Sequence, residues 1–240
     1  MQGSERKQMK QDEFVDGAVR VVEFLTEKRK PVLILVGAVL VLVIAGWSYL
    51  KWSDARADAA ADAFAKGQIA LFAPLAGDEP PKPDSPFTPV YADGVSRARA
   101  AAERLEAVAS GSGPLADLAA FLRGVALLDA GETEEALPLL ESAREAFASD
   151  ITMAGTTRSA LARAYEILGR WDDALVIWEE MRDTETDQTP YPRDLVLEGL
   201  ARAAEKAGKT EEARIAYQSI VSEYPNSPAK ARAEAALLRL

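Results

Sequence analysis

The sequence predicts an all-α chain, one N-terminal transmembrane helix followed by a solenoid of helical hairpins, and three observations carry that prediction. Residues Pro31 to Leu50 (PVLILVGAVLVLVIAGWSYL) are twenty consecutive uncharged residues flanked by Lys28-Arg29-Lys30 and Lys51. The pattern Gly-x-x-acidic-acidic-Ala occurs three times, at Gly131–Ala136, Gly169–Ala174 and Gly208–Ala213, with spacings of 38 and then 39 residues. The stretches around each copy are rich in Ala, Leu, Glu and Arg, the better helix formers.

The leader, residues 1–30, places Phe14, Ala18, Val21, Val22 and Leu25 on one stripe at helical spacing, with Asp12, Asp16, Arg20, Glu23 and Glu27 elsewhere around the turn. Such a helix can lie on lipid headgroups through its basic end or dock on a neighbouring membrane protein. The segment 31–50 matches the roughly 30 Å hydrocarbon layer at about 1.5 Å per helical residue. Backbone groups inside lipid must bond internally, so the span is helical. Lys28, Arg29 and Lys30 mark its cytoplasmic end, and Trp47, Tyr49 and Trp52 form an aromatic belt at the other. The remaining residues then lie outside, in the periplasm if the source is bacterial. A cleaved signal peptide would need a shorter apolar core and a shorter leader, although Ala57-Asp58-Ala59 offers small residues.

Residues 51–74 are Ala-rich and continue as a helix. Residues 75–89 break regularity, with Pro80, Pro83, Pro86 and Pro89 at three-residue intervals along one edge of a polyproline II segment. A semi-rigid spacer is favoured there over a docking ligand, since nothing else in the segment specifies a partner. Residues 90–240 hold the repeats, opened by a helix from Val95 to Ser110. After Tyr224-Pro225, Ser227 can cap and Pro228 can start a last helix that covers the open end of the stack.

Composition narrows the function. Beyond residue 50 there are 21 Lys and Arg against 32 Asp and Glu, a net −11 that repels phosphate backbones and excludes a nucleic-acid role. No Cys and no His is present, which removes thiol nucleophiles, Ser-His arrangements and nitrogen or sulfur metal sites. Glu179, Glu180 and Asp183 read as a solvated helix face. No enzyme activity, cofactor, metal or small-molecule substrate is expected.

Each part of the repeat pattern has a mechanical reason. Glycine ends the first helix in the left-handed conformation, the acidic pair faces the positive N-terminus of the second, and alanine permits close helix crossing. Around Gly169 stand Leu161, Ala162, Tyr165, Leu168, Trp171, Ala174 and Trp178; around Gly208 stand Leu200, Ala201, Ala207, Ala213, Tyr217 and Pro225; around Gly131 stand Gly124, Leu127, Ala136 and Ala143. These small and aromatic positions resemble the tetratricopeptide repeat, whose period of about 34 is exceeded here by four or five residues that must lengthen helices or loops. That resemblance implies a concave groove lined by the first helix of each pair. Aligned on the glycines, three rows fall there: Phe121, Ser159 and Glu198; Val125, Arg163 and Arg202; Leu128, Glu166 and Glu205. Arg163 and Arg202 can together hold a peptide carboxylate, or Arg163 can pair with Glu166 and Arg202 with Glu198 at helical spacing. Trp171 and Trp178 are expected in the core rather than at a ligand.

The order of parts, with Phe14 to Lys30, the Pro31 to Leu50 span exiting at Gly46-Trp47, and the three repeat motifs, resembles the YfgM-like family of ancillary subunits of the bacterial Sec translocon. The resemblance implies an inner-membrane anchor whose periplasmic repeats bind proteins beside the translocon, with a membrane-anchored chaperone partner, and assist exported polypeptides. A scaffold subunit of another envelope or secretion assembly would use the same architecture.

Overall fold

The computed structural model describes residues 29–77, 89–184 and 191–240. The leader stripe, Lys28, and Pro80, Pro83 and Pro86 lie outside the described residues. Nine α-helices occur among those described: α1 Arg29–Leu71, α2 Gly94–Ala109, α3 Pro114–Ala130, α4 Thr133–Ala146, α5 Met153–Ile167, α6 Trp171–Asp183, α7 Arg193–Lys206, α8 Thr210–Glu223 and α9 Ala229–Leu237. The chain forms two compact units, one ending at Asp58 and one running from Ala59 to Leu240.

In the first unit, α1 exposes its large apolar side chains all round, Ile34 and every residue from Val39 to Ile44 being more than half accessible. Trp47, Tyr49 and Trp52 are exposed at 63%, 66% and 57%. The rings of Tyr49 and Trp52 lie 6.2 Å apart, and the Arg56 guanidinium sits 5.3 Å from the Trp52 ring. Among the described residues, no helix is long and apolar enough to cross a membrane. Of the Pro31–Leu50 run, the side chains of Pro31, Val32, Leu33, Leu35 and Val36 lie outside the description, so its continuous described part is the fourteen residues from Gly37 to Leu50.

The second unit is a succession of hairpins with a recurring contact, a small residue of the first helix against the second helix. Gly124, Ala162 and Ala201 are buried there, as are Ala136, Ala174 and Ala213 on the partner helices. A Cβ placed on Gly124 would stand 2.9 Å from the Leu140 side chain, closer than any relaxed contact. Gly131, Gly169 and Gly208 end their helices at φ of +82°, +71° and +80°. In each turn the amide following the glycine returns to a carbonyl five residues back: Glu132 to Leu127, Arg170 to Tyr165, and Lys209 to Ala204. These bonds satisfy the carbonyls that a helix end leaves open. The acidic pairs Glu134-Glu135, Asp172-Asp173 and Glu211-Glu212 occupy the first turns of α4, α6 and α8.

A fourth hairpin precedes these three, and its sequence gives no glycine turn. Gly67 in α1 faces Leu105 in α2, where an added Cβ would lie 2.5 Å away, repeating the relation of Gly124 to Leu140. The end of α1, within residues 51–74, thus packs against α2 ahead of the repeats read from residue 90. The link from Leu71 to Gly94 is closed at its base by a parallel bridge between Leu75 and Tyr91. Asp93 then caps α2 by accepting from the Ser96 amide at 2.7 Å, in a capping box with the Ser96 hydroxyl.

The residues in excess of a 34-residue period sit in links. Between α4 and α5, Asp150 accepts from the amides of Thr152 and Met153 and from the Thr152 hydroxyl. These bonds hold its carboxyl below the usual range, the Thr152 hydroxyl contributing most. Between α6 and α7, Arg193 donates to the carbonyls of Met181 and Thr184 and ties the two ends together. At the end of α8, Pro225 stands beyond the last helical residue, Glu223. The Ser227 hydroxyl accepts from the Ala229 amide and donates to Asp194, joining the closing helix α9 to α7.

Within each hairpin a second contact recurs. The Trp178 indole donates to Glu166 at 2.8 Å, and the Tyr217 hydroxyl donates to Glu205 at 3.0 Å, with donor and acceptor in equivalent places. In the preceding hairpin the same places hold Leu140 and Leu128, both buried. Polar pair and apolar pair thus substitute for each other as units, because leaving one member of the polar pair alone would strand a buried group. Tyr165 makes a different contact, donating to Glu141 at 2.9 Å under the Arg170 guanidinium.

Two outcomes are expected. Gly199 lies against Trp178, where a Cβ would stand 2.3 Å from the ring, so Gly199→Ala should lower unfolding free energy by about 1–3 kcal/mol in denaturant titration. Burial and the Glu205 carboxylate raise the Tyr217 hydroxyl to about 12. Between pH 10 and 12 the unfolded chain loses this proton while the folded chain keeps it, so stability falls as pH rises through that window. The wild type should lose melting temperature more steeply there than Tyr217→Phe, and equal slopes would contradict the assignment.

Candidate protein-binding groove

Three first helices, α3, α5 and α7, stand side by side and enclose a groove of about 480 Å³. Phe121, Leu122 and Val125 of α3 form one wall, and Tyr191 and Leu195, at the start of α7, form part of the other. Thr156, Ser159, Ala160 and Arg163 of α5 run between them, with the Trp178 ring behind and Glu198 and Arg202 toward one end. Phe121 and Trp178 are only 5% and 4% exposed, so they shape the floor more than they offer surface, whereas Leu195 at 39% is open.

The first two predicted rows, Phe121, Ser159, Glu198 and Val125, Arg163, Arg202, all reach this groove. The third does not. Leu128, Glu166 and Glu205 turn toward the second helix of their own hairpin, where Leu128 is buried and the two glutamates receive Trp178 and Tyr217. That placement corrects the expectation of a third groove row: further along each first helix the same face runs under the second helix of its own hairpin, so the row meets Trp178 and Tyr217 instead of the groove.

The arginine partners also differ from both sequence alternatives. Arg202 donates through two nitrogens to Glu166 of the preceding hairpin, at 2.8 and 3.0 Å, rather than to Glu198. Burial opposes its charge, but the Glu166 carboxylate outweighs that and holds the guanidinium above its ordinary value. Glu198 is taken by Arg232 of α9 through a second two-nitrogen contact. Arg163 meets Asp129, one hairpin back, at 3.4 Å, and does not pair with Glu166. Each groove arginine thus reaches back one hairpin, a stacking relation rather than the i, i+4 relation of a single helix. Arg163 and Arg202 are thus held by different acids, Asp129 and Glu166.

Outside the groove, similar links join the second helices. Arg144 donates to both oxygens of Glu180 at 2.9 and 2.7 Å, while Asp183 receives its neighbour Arg182 within the same helix. Glu179 is pushed up by burial and by the Glu212 carboxylate across from it. Among the described residues no cluster is arranged to hold a metal ion.

Sequence reasoning did not identify Tyr191 and Leu195. They follow the Thr184 to Pro192 link, which read only as added length, and the aromatic-aliphatic pair Tyr191 and Leu195 at four-residue spacing was the available signal. Trp178 was assigned to the core, which its burial matches, but its ring edge also borders the groove.

Comparison with known proteins agrees with this architecture. Two models of the tetratricopeptide repeat match the chain, over residues 90–151 and 196–227. No curated protein matches it. Among solved structures, that of Podosopora anserina kinesin light chain nearly identical TPR-like repeats shares 22% identity at a TM-score of 0.50, covering 60% of this chain and 77% of that one. A point variant of the same protein gives the same values. At that identity the likeness is one of fold. Residues 90–151 and 196–227 thus match tetratricopeptide repeats within an all-α solenoid, an architecture whose concave surface is suited to engaging other proteins.

Proposed function

We propose that this chain is a single-pass inner-membrane protein, N-terminus cytoplasmic and repeats periplasmic, whose groove binds polypeptides beside the Sec translocon in concert with a membrane-anchored chaperone. The observation that carries the protein-binding part is the groove between α3, α5 and α7, open and apolar along two walls. The anchor rests on the uncharged Pro31–Leu50 run and on the exposure of the large apolar side chains of α1 around its whole circumference. Such a surface in water is unfavourable at about 25 cal/mol per Å², and lipid removes that cost. Lys28, Arg29 and Lys30 at one end and the Tyr49–Trp52 cluster at the other support the orientation. The translocon assignment rests on resemblance to the YfgM-like family.

The role is non-catalytic in this reading: the carboxylates Glu180 and Asp183 are engaged by arginines. A scaffold within another envelope assembly is the second reading, favoured by the same groove and anchor. Photo-crosslinking from Leu35 in intact cells separates the two. Adducts with translocon subunits are expected, and adducts confined to a different envelope complex would transfer the assignment to the second reading. Protease added to spheroplasts should digest the repeats of the intact chain, and protection of residues 59–240 with trimming of the leader would reverse the topology.

A further inference from the structure

We infer that the outer faces of the second helices α4, α6 and α8 form a docking surface, separate from the groove, for a basic amphipathic segment of a partner polypeptide. Such docking is independent of what occupies the groove.

The charge of the repeats is divided unevenly. The three second helices carry twelve acids against three arginines, whereas the first helices α3, α5 and α7 carry six acids against six bases. A net charge of −9 is thus collected on the second helices, against −10 for the whole chain.

The glycine register orders this charge around an apolar row. Pro138, Val176 and Ile215 stand at equivalent places after the turn glycines Gly131, Gly169 and Gly208, and all three are exposed. Single exposed aliphatic residues are ordinary on a protein surface, but three at one register position form a continuous feature. One helical turn before them lie Glu134, Asp172 and Glu211, and one turn after them Glu141, Glu179 and Gln218. Residues three and four apart share a helix face, so the apolar row runs between two rows that are mostly acidic.

Contacts between hairpins keep these rows side by side. Arg144 of α4 bonds Glu180 of α6, and Lys209, at the head of α8, meets Asp172 of α6 at 3.6 Å. Asp172 and Glu211 stay largely open to solvent beside their single contacts with Lys209 and Arg214. Glu179 and Glu212 approach each other across α6 and α8, and burial together with that neighbouring carboxylate pushes the Glu179 carboxyl up. Acids held this close oppose one another, and a cation brought among them relieves the repulsion. A second copy of this acidic chain, an anionic lipid surface or a nucleic acid would meet like charge here. A neutral apolar segment would cover the row and desolvate acids that it cannot pair. A segment that sets aliphatic side chains among lysines or arginines answers both the row and its flanks.

The test uses the full-length chain in nanodiscs of zwitterionic phosphatidylcholine, with empty nanodiscs as blank. The probe is a fluorescein-labelled amphipathic peptide of about twenty residues, built from Leu, Ala and Lys with a charge of about +6. Anisotropy should show saturable binding that weakens at least about tenfold when Val176→Ser and Ile215→Ser are combined, and about fivefold when Asp172→Asn and Glu211→Gln are combined. All four side chains are exposed, so circular dichroism should show both variants folded. Raising salt from ~50 to ~500 mM should weaken binding about tenfold. Leu195→Ser, in the groove, should change it less than about twofold. Equal binding of a peptide with every Leu replaced by Ser would reduce the surface to non-specific charge and overturn the proposal. Absence of saturable binding, or indifference to the Val176 and Ile215 substitutions, would overturn it as well. Binding lost in Leu195→Ser but kept in both outer-face variants would place the peptide in the groove, overturning this surface while supporting the groove reading.

Discussion

The rest of the solenoid depends on the closeness with which the two helices of each hairpin cross. At the crossing stand Gly124, Ala162 and Ala201 against Ala136, Ala174 and Ala213, all buried. At Gly124 the fit is closest, since an added Cβ would stand 2.9 Å from the Leu140 side chain. A crossing this tight fixes the register of the pair, because ridges of one helix must seat in grooves of the other. Once register is fixed, Glu166 meets Trp178 and Glu205 meets Tyr217 without further specification. The equivalence of Leu128 and Leu140 in the hairpin before them follows from the same register, with apolar contact in place of a hydrogen bond.

Between hairpins the repeated device is electrostatic but its stabilising effect is small. Exposed ion pairs contribute about 0–1 kcal/mol each, and Arg163–Asp129 and Arg99–Glu132 are of that kind. Glu166 differs: its carboxylate is 10% exposed and accepts from both Arg202 and Trp178. Removing it would leave a guanidinium and an indole N–H without their partner, so its importance lies in what its absence would strand. The continuous apolar core, running from α1 to α9, remains the larger contribution.

The three glycine-ended turns were legible in the sequence because their cause is local: a left-handed residue, an acidic first turn and a small crossing residue lie within six positions. The fourth hairpin was not legible for the complementary reason. Its helices α1 and α2 are joined by a link of more than twenty residues whose closure depends on a bridge between Leu75 and Tyr91, and no local pattern announces such pairing. Aligning on the glycines placed six side chains at the groove but misdirected Leu128, Glu166 and Glu205, since the row's face depends on the helix crossing and not on spacing alone. The arginine partners were unreadable for a further reason. Arg202 and Glu166 are 36 residues apart, and their meeting is a property of stacked repeats.

A groove of about 480 Å³ walled by a few apolar side chains can supply only modest affinity, because burial of two or three aliphatic side chains at about 1.5–3 kcal/mol each is opposed by the cost of association and of ordering the ligand. Free in solution, such a site would be mostly empty at low client concentration. Confinement would change that arithmetic: were the chain tethered to a membrane as proposed, encounter with polypeptides there would become a local event, with effective concentrations approaching the millimolar range for short spans. Weak and shallow recognition would then be an advantage, since it lets a segment leave as readily as it enters.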